Sequence, residues 1–182
     1  MKRMKHKFFA PVCAILCAAA VLLAVSFGAR GLAAARERSA RAEIMTYLLP
    51  GRPSDFEEEV YDGEDESIRH VYKAADGYVI EVEANGYASP LTLWVGVTNE
   101  GWVSGLTVRD HAETYGLGQR VQTDYPFLMQ FLYSEGTAAV GEDVEALTGA
   151  TVTSRAVTRA VNSAAAVVTG ADAVSSATEW GG

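Results

Sequence analysis

Cysteine is almost absent from this 182-residue chain, and its two cysteines, Cys13 and Cys17, both lie in one apolar stretch. Because they are four residues apart, they would share one face of a helix, where a free cysteine is usually a small apolar filler. That placement disfavours a disulfide or a metal pair. The rest of the chain has no thiol, which excludes zinc–thiolate sites, iron–sulfur clusters and thiol catalysis there.

Positive charge is scarce beyond Arg41, where seven Lys and Arg residues stand against 22 Asp and Glu residues. The formal net charge of this part is −15. Nucleic-acid binding needs cations that neutralise phosphates, so nucleic acid is excluded as a partner. The acidic balance instead favours a domain that stays in solution and is repelled by anionic lipid.

Charged side chains are also missing from residues 8–29, which follow a basic head at residues 1–7. This apolar run is long enough to cross a hydrocarbon core of about 30 Å. A secretory signal has a shorter core of about 7–15 residues, so an uncleaved single-pass anchor is favoured over a signal cleaved near residues 31–35. The denser cations precede the run, which predicts a cytoplasmic head and an extracytoplasmic bulk in the cell membrane.

Beyond the anchor, the composition predicts a stalk and acidic connector over residues 30–66. Alanines and arginines with helical spacing of apolar residues predict a helix over 32–49, which Pro50 and Gly51 end. Residues 54–66 contain eight acids and indicate a solvated connector rather than a metal site. A folded domain is predicted over residues 67–170, followed by a flexible tail at 171–182.

Four strand-like runs suggest an antiparallel meander, and they cover Ile68 to Ala74, Tyr78 to Ala84, Leu91 to Thr98 and Trp102 to Arg109. Asn99-Glu100-Gly101 between the last two is typical of a hairpin turn. A short buried helix is predicted over Tyr125–Tyr133, and a longer one over Ser154–Thr169, closed by Gly170. The expected fold class is therefore α+β, with one transmembrane helix before a small antiparallel sheet with flanking helices.

The segment TGATVTS at 148–154 directly precedes the longer helix. Free N–H groups and the helix dipole make a helix start suitable for an anion. Gly149 and Ala150 allow a bulky group to approach the backbone, and Thr151 and Thr153 supply hydroxyls. A simpler interpretation is a capped helix without a ligand, with Thr153 or Ser154 as the cap.

A second segment, residues 111–120, follows the last predicted strand. Its Gly116-Leu117-Gly118 is a turn, but it does not fit the G-x-G-x-x-G phosphate motif, because Val121 stands where the third glycine would be. His111 has no serine or cysteine nucleophile pattern beside it. No catalytic residue and no metal site are therefore predicted.

Taken together, ETYGLG at 113–118 and TGATVTS at 148–154 resemble the FMN-binding domain of the G subunit of the Rnf electron transport complex, and of the related C subunit of the sodium-translocating NADH:quinone reductase. The resemblance implies an extracytoplasmic domain on one transmembrane helix. It also implies FMN attached covalently through a phosphoester to Thr151. Asp143 resembles an acidic position upstream of the attachment motif.

The resemblance further implies which residues surround the flavin, namely Glu113, Thr114, Gly116, Leu117, Gly118, Thr148, Gly149, Ala150 and Thr153. Its maturation would need a flavin transferase that uses FAD and a magnesium ion. The chain would then relay electrons beside other membrane subunits of an ion-translocating ferredoxin:NAD oxidoreductase, rather than act as an enzyme alone. Two alternatives remain: a stand-alone extracytoplasmic FMN-binding electron carrier, and a membrane-anchored binding module without cofactor.

Overall fold

The computed structural model describes residues 31–33, 35–111 and 118–170. The chain divides into two compact units, Met1–Arg41 and Ala42–Gly182. In the first unit, the described residues 31–33 and 35–41 are helical. Within the described ranges, no helix has both the length and the apolar composition that a bilayer span requires. The predicted head, anchor (8–29) and tail (171–182) lie outside those ranges.

The described part of the second unit contains a five-stranded antiparallel sheet, in which each strand pairs with the next along the chain. The strands are β1 (Glu57–Glu59), β2 (Ile68–Ala74), β3 (Gly77–Asn85), β4 (Pro90–Thr98) and β5 (Val103–His111). The helical residues 42–48 of this unit are called α1, and the further helices are a 3₁₀ helix (Gly118–Gln122), α2 (Tyr125–Met129) and α3 (Thr151–Thr169). The predicted antiparallel meander with flanking helices is confirmed, including the turn before β5, where the Gly101 N–H donates to the Thr98 C=O over 2.9 Å.

Strand β1 differs from the expected solvated connector over residues 54–66. Its three glutamates are exposed, yet the strand pairs with β2 at the edge of the sheet. Glu58 Oε1 lies 2.6 Å from His70 Nδ1, and Glu59 Oε1 lies 3.0 Å from Lys73 Nζ. Glutamate is depleted in strands, so the composition of residues 57–59 did not predict a strand. The strand is stabilised by complementary side chains on the neighbouring strand.

Both faces of the sheet are buried. On one face, alternate residues of β4 pack against α3 in the larger core, including Leu91, Leu93, Val95 and Val97 of the strand with Val157 and Val161 of the helix. The other face carries a smaller core that contains Tyr72, Val79 and Trp94. This alternation follows from the two-residue period of a strand, and it makes the sheet a middle layer.

Helix α1 supplies Met45 and Leu48 to the smaller core. It approaches the sheet closely because Gly96 and Gly105 stand directly opposite each other on β4 and β5. A Cβ atom on Gly96 would lie 2.1 Å from the Leu48 carbonyl oxygen. The Ser104 hydroxyl donates to the same oxygen over 2.6 Å. Residues 42–66 therefore pack as part of the second unit, although their composition predicted a stalk and connector.

The segment after β5 covers the free edge of that strand. The Gln122 side chain donates to the Val108 C=O over 3.2 Å, and the Tyr133 N–H donates to the Val103 C=O over 2.8 Å. Between them, α2 ends at Met129, earlier than the predicted Tyr133. Phe127 is buried as predicted, whereas the first and last residues of the predicted helix are exposed.

The Asp65 carboxylate closes a local turn in the acidic segment, because its Oδ1 accepts from the Ser67 N–H over 2.9 Å. Burial by itself would raise the pKa of the Asp65 carboxyl, but hydrogen bonds with Ser67 and Ser163 outweigh it, so the pKa lies below its usual value of 3.8. The stabilisation is therefore present above pH 3.8 and is lost as the pH falls through the lower folded-state pKa. We expect Asp65→Asn to lower the thermal midpoint at pH 7, with a difference from wild type that shrinks below pH 4 in scanning calorimetry. An equal difference at both pH values would contradict this role.

Candidate functional site

Thr151 is the first residue of α3. The helix was predicted to begin at Ser154, so that the motif would precede it, but residues 151–154 of the motif form its first turn. Ala150 occupies the N-cap position with φ −130°, and no side chain caps the helix. The predicted cap by Thr153 or Ser154 is therefore wrong, because both side chains lie within the helix. The first N–H groups of an α-helix have no intrahelical acceptor, so this end favours an anion.

Exposure divides the motif into an outer and an inner set. Thr148, Gly149, Thr151 and Val152 are exposed, whereas Ala150, Thr153 and Ser154 are buried. Thr153, whose hydroxyl was predicted to line the site, is only 1% exposed and faces the protein interior. Thr151 is consequently the hydroxyl of the first helical turn that an approaching group can reach.

The turn before Thr151 depends on Gly149. The Ala150 N–H donates to the Leu147 C=O over 2.9 Å, which closes a four-residue turn. Gly149 stands at the third position with φ 78°, the conformation that glycine adopts without steric cost in a type II turn. The turn leaves Thr148 and Gly149 on the surface beside Thr151.

Side chains from elsewhere in the chain hold the irregular segment between α2 and α3. The Gln130 amide accepts from the Glu145 N–H at 2.8 Å and donates to the Glu145 C=O at 3.3 Å. The buried Asn162 amide clamps both backbone groups of Ala138 in the same manner, at 3.2 and 2.9 Å. Sequence reasoning missed these residues, since a polar side chain that clamps a distant backbone has no local pattern.

The upstream acid Asp143 has a local role in this segment. Its Oδ2 accepts from the Ala139 N–H at 3.1 Å, and its own N–H donates to the Ala139 C=O at 3.0 Å. Asp143 is exposed and closes a tight turn eight residues before Thr151. The structure therefore gives this carboxylate a local role in the turn that begins at Ala139.

The packing of α3 on the sheet brings the end of β5 and the start of α3 to one end of the domain. A Cβ atom on Gly101 would lie 2.4 Å from the Thr169 Cγ2, so α3 ends at the turn between β4 and β5. Both α3 and β5 are about 30 Å long, judged from their numbers of residues. The start of α3 at Thr151 therefore lies toward the opposite end, where β5 ends at His111.

The 3₁₀ helix lies beside both elements, because it contacts β5 and α3. It begins at Gly118, the last residue of the ETYGLG segment. The other predicted flavin neighbours in that segment, Glu113, Thr114, Gly116 and Leu117, lie outside the described residues. What the structure provides is their two attachment points, the end of β5 and the start of the 3₁₀ helix.

The described residues fit an FMN phosphate at Thr151 on three counts. The side chain is exposed, the helix end carries no side-chain cap, and the first turn of α3 contains no acidic residue that would repel an anion. Arg155 follows in the next turn. The N-terminal end of α3 therefore combines a reachable hydroxyl, backbone N–H donors and the positive end of the helix dipole, all of which favour a phosphoester.

Comparison with known proteins identifies an FMN-binding domain in this chain. The sequence model of the FMN-binding domain matches residues 86–166, which include both motifs. The G subunit of an ion-translocating oxidoreductase complex from Methanosarcina acetivorans is 32% identical over 137 residues, covering 67% of this chain and 71% of the relative. The chain belongs to this family of G subunits. The resemblance seen in the two motifs is therefore confirmed.

Other family members match over a shorter range. The G subunit of the proton-translocating ferredoxin:NAD(+) oxidoreductase complex of Clostridium ljungdahlii is 36% identical over 99 residues, covering 50% of this chain and 53% of the relative. The G subunit of the ion-translocating oxidoreductase complex of Pseudoalteromonas atlantica is 37% identical over 115 residues, covering 54% of each chain. The chain spans about half the length of these two family members.

Proposed function

We propose that this chain is an electron-carrying subunit of an ion-translocating ferredoxin:NAD oxidoreductase complex, with FMN attached through a phosphoester to Thr151. The observation that carries the proposal is the exposed Thr151 hydroxyl on the uncapped first turn of α3, within a match to the FMN-binding domain. Names of relatives support the complex, since two are subunits of ferredoxin:NAD(+) oxidoreductases.

In this proposal the chain binds and orients the cofactor, while bound FMN supplies the one- and two-electron redox chemistry. Backbone N–H groups of the first α3 turn hold the phosphate, and Gly149 leaves room beside it. Thr148, Ala150 and Thr153 shape the same turn. Glu113, Thr114, Gly116, Leu117 and Gly118 would contact the polar atoms and ring of the flavin, because their segment starts at the end of β5.

Attachment requires a separate enzyme, because threonine is a weak nucleophile unaided. A flavin transferase with a magnesium ion would use FAD as the donor. The Thr151 Oγ bonds to the phosphorus of the FMN half, the phosphoanhydride bond of FAD breaks, and AMP leaves. The hydroxyl proton passes to a base of the transferase. No electron is transferred in this step, so no oxidant is needed.

The membrane topology belongs to the same proposal. Residues 8–29 would anchor the chain in the cell membrane by a single span, with the head inside and the FMN-binding domain outside. Covalent attachment suits that location, because a tethered cofactor cannot be lost. The strongly acidic domain would be repelled by anionic lipid and left accessible to the other subunits of the complex.

Flavin fluorescence in a denaturing gel tests the attachment. We expect the full chain, co-expressed with a flavin transferase and exported, to give a fluorescent band, and the same chain without transferase to give none. Denaturation removes noncovalent FMN, so the signal reports a covalent bond alone. A dark band beside a fluorescent control acceptor would contradict the covalent attachment that the proposal requires.

A further inference from the structure

One buried hydroxyl holds the turn that precedes Thr151. The Ser154 side chain is 0% exposed, and its Oγ accepts from the Leu147 N–H and donates to the Ala150 C=O, each over 3.0 Å. These two backbone groups bracket Thr148 and Gly149. Ser154 therefore joins the loop to the helix on the buried side, while Thr151 stays exposed on the solvent side.

The bond to Leu147 reaches across the loop in a way that an ordinary helical serine does not. Serine and threonine inside helices commonly bond to the carbonyl four residues earlier. Thr158 does this, since its hydroxyl donates to the Ser154 C=O over 2.9 Å. Ser154 makes the same bond and in addition receives the N–H of Leu147, a residue 7% exposed. Without that hydroxyl, a backbone donor in the core loses this acceptor.

A second clamp acts on the same loop two residues earlier. The Gln130 amide satisfies both backbone groups of Glu145. Ser154 and Gln130 thus hold the loop at Glu145, Leu147 and Ala150. Together they fix the backbone of the loop that leads directly into Thr151.

We propose that Ser154 and Gln130 are positioning residues for flavin transfer, and that they preorganise the Thr151 hydroxyl for attack on the donor phosphorus. This inference rests on the proposed function of Thr151. Attack requires the Oγ to lie in line with the departing AMP, and a displacement of about 1 Å at such a centre costs on the order of a hundredfold in rate. A loop free to move would present the hydroxyl in line only part of the time.

The test is the rate at which a flavin transferase modifies the full chain, followed by intact mass with FAD and Mg²⁺ supplied. We expect Ser154→Ala to lower the kcat for transfer by about tenfold or more while the KM for FAD is unchanged. Thr158→Val is the matched control, because it removes a buried hydroxyl from the same helix face without touching the loop. It should react at the wild-type rate.

Thermal midpoints of both variants separate positioning from stability. Equal slowing of Ser154→Ala and Thr158→Val would overturn the inference, as would a wild-type rate in Ser154→Ala. If Ser154→Ala does not fold, Gln130→Ala at the exposed clamp decides: slower transfer supports the inference and an unchanged rate overturns it. A wild-type chain that is never modified would instead refute the proposed function.

Discussion

A Thr151→Val chain that matures beside an active flavin transferase should contain no covalent flavin. Valine has nearly the shape of threonine but lacks the Oγ that would bond to phosphorus, so the loss is complete rather than graded. Because Thr151 is exposed at the first position of α3, the free energy of unfolding should change by less than about 0.5 kcal/mol. Flavin absorbance of the denatured, washed protein measures the result.

Two controls define that result. Thr148→Val removes the other exposed hydroxyl of the turn and should still yield covalent flavin, because Thr151 keeps its Oγ. Thr151→Ser restores a hydroxyl at the same atom and should recover at least part of it. Covalent flavin in Thr151→Val at the wild-type level would place the attachment on another residue.

The second large effect concerns the contact between α1 and the sheet. Gly96→Ala places a methyl group 2.1 Å from the Leu48 carbonyl oxygen, which is rigid backbone that also accepts from Ser104. The helix end must move away, and the Ser104 bond is strained with it. We expect the variant to lose about 3 kcal/mol of unfolding free energy, at the upper end of overpacking costs. Its thermal midpoint should fall by about 10 °C.

Gly31→Ala provides the comparison, because a Cβ atom there meets nothing within 4 Å. Gly31 is helical, so alanine should leave the thermal midpoint unchanged or slightly higher. Gly105→Ala, whose Cβ would lie 3.1 Å from the Leu48 Cα and carbonyl oxygen, should fall between the two. A Gly96→Ala chain as stable as wild type would show that α1 does not rest on the sheet at this point.

Regular hydrophobic alternation made much of the sheet predictable. Strand β2 was predicted at its observed bounds, and β3 to β5 were predicted within two residues at each end. Strand β1 was missed because three consecutive glutamates carry no alternation, and their pairing depends on Lys73 and His70 across the sheet. Local composition reports only on residues that are close in sequence, whereas the pairing of this edge strand depends on residues that are distant in sequence and close in space.

The site shows the same distinction. Thr151 was predicted from a motif, and the structure shows that this motif is local, because it consists of a turn with Gly149 followed by a helix start. The exact helix start was misjudged by three residues, since Ala150 is not a residue that ordinarily caps a helix. Ser154 and Gln130 act through backbone groups up to 15 residues away, which no local spacing encodes.

The most direct test of the account is peptide mapping of the wild-type chain after maturation with a flavin transferase. Trypsin should release Val121–Arg155, which contains both Thr148 and Thr151. The account predicts a mass gain equal to FMN less one water, with fragment ions that assign it to Thr151. An unmodified peptide, obtained while the transferase modifies a control acceptor, would contradict the covalent attachment on which the proposed electron carrier depends.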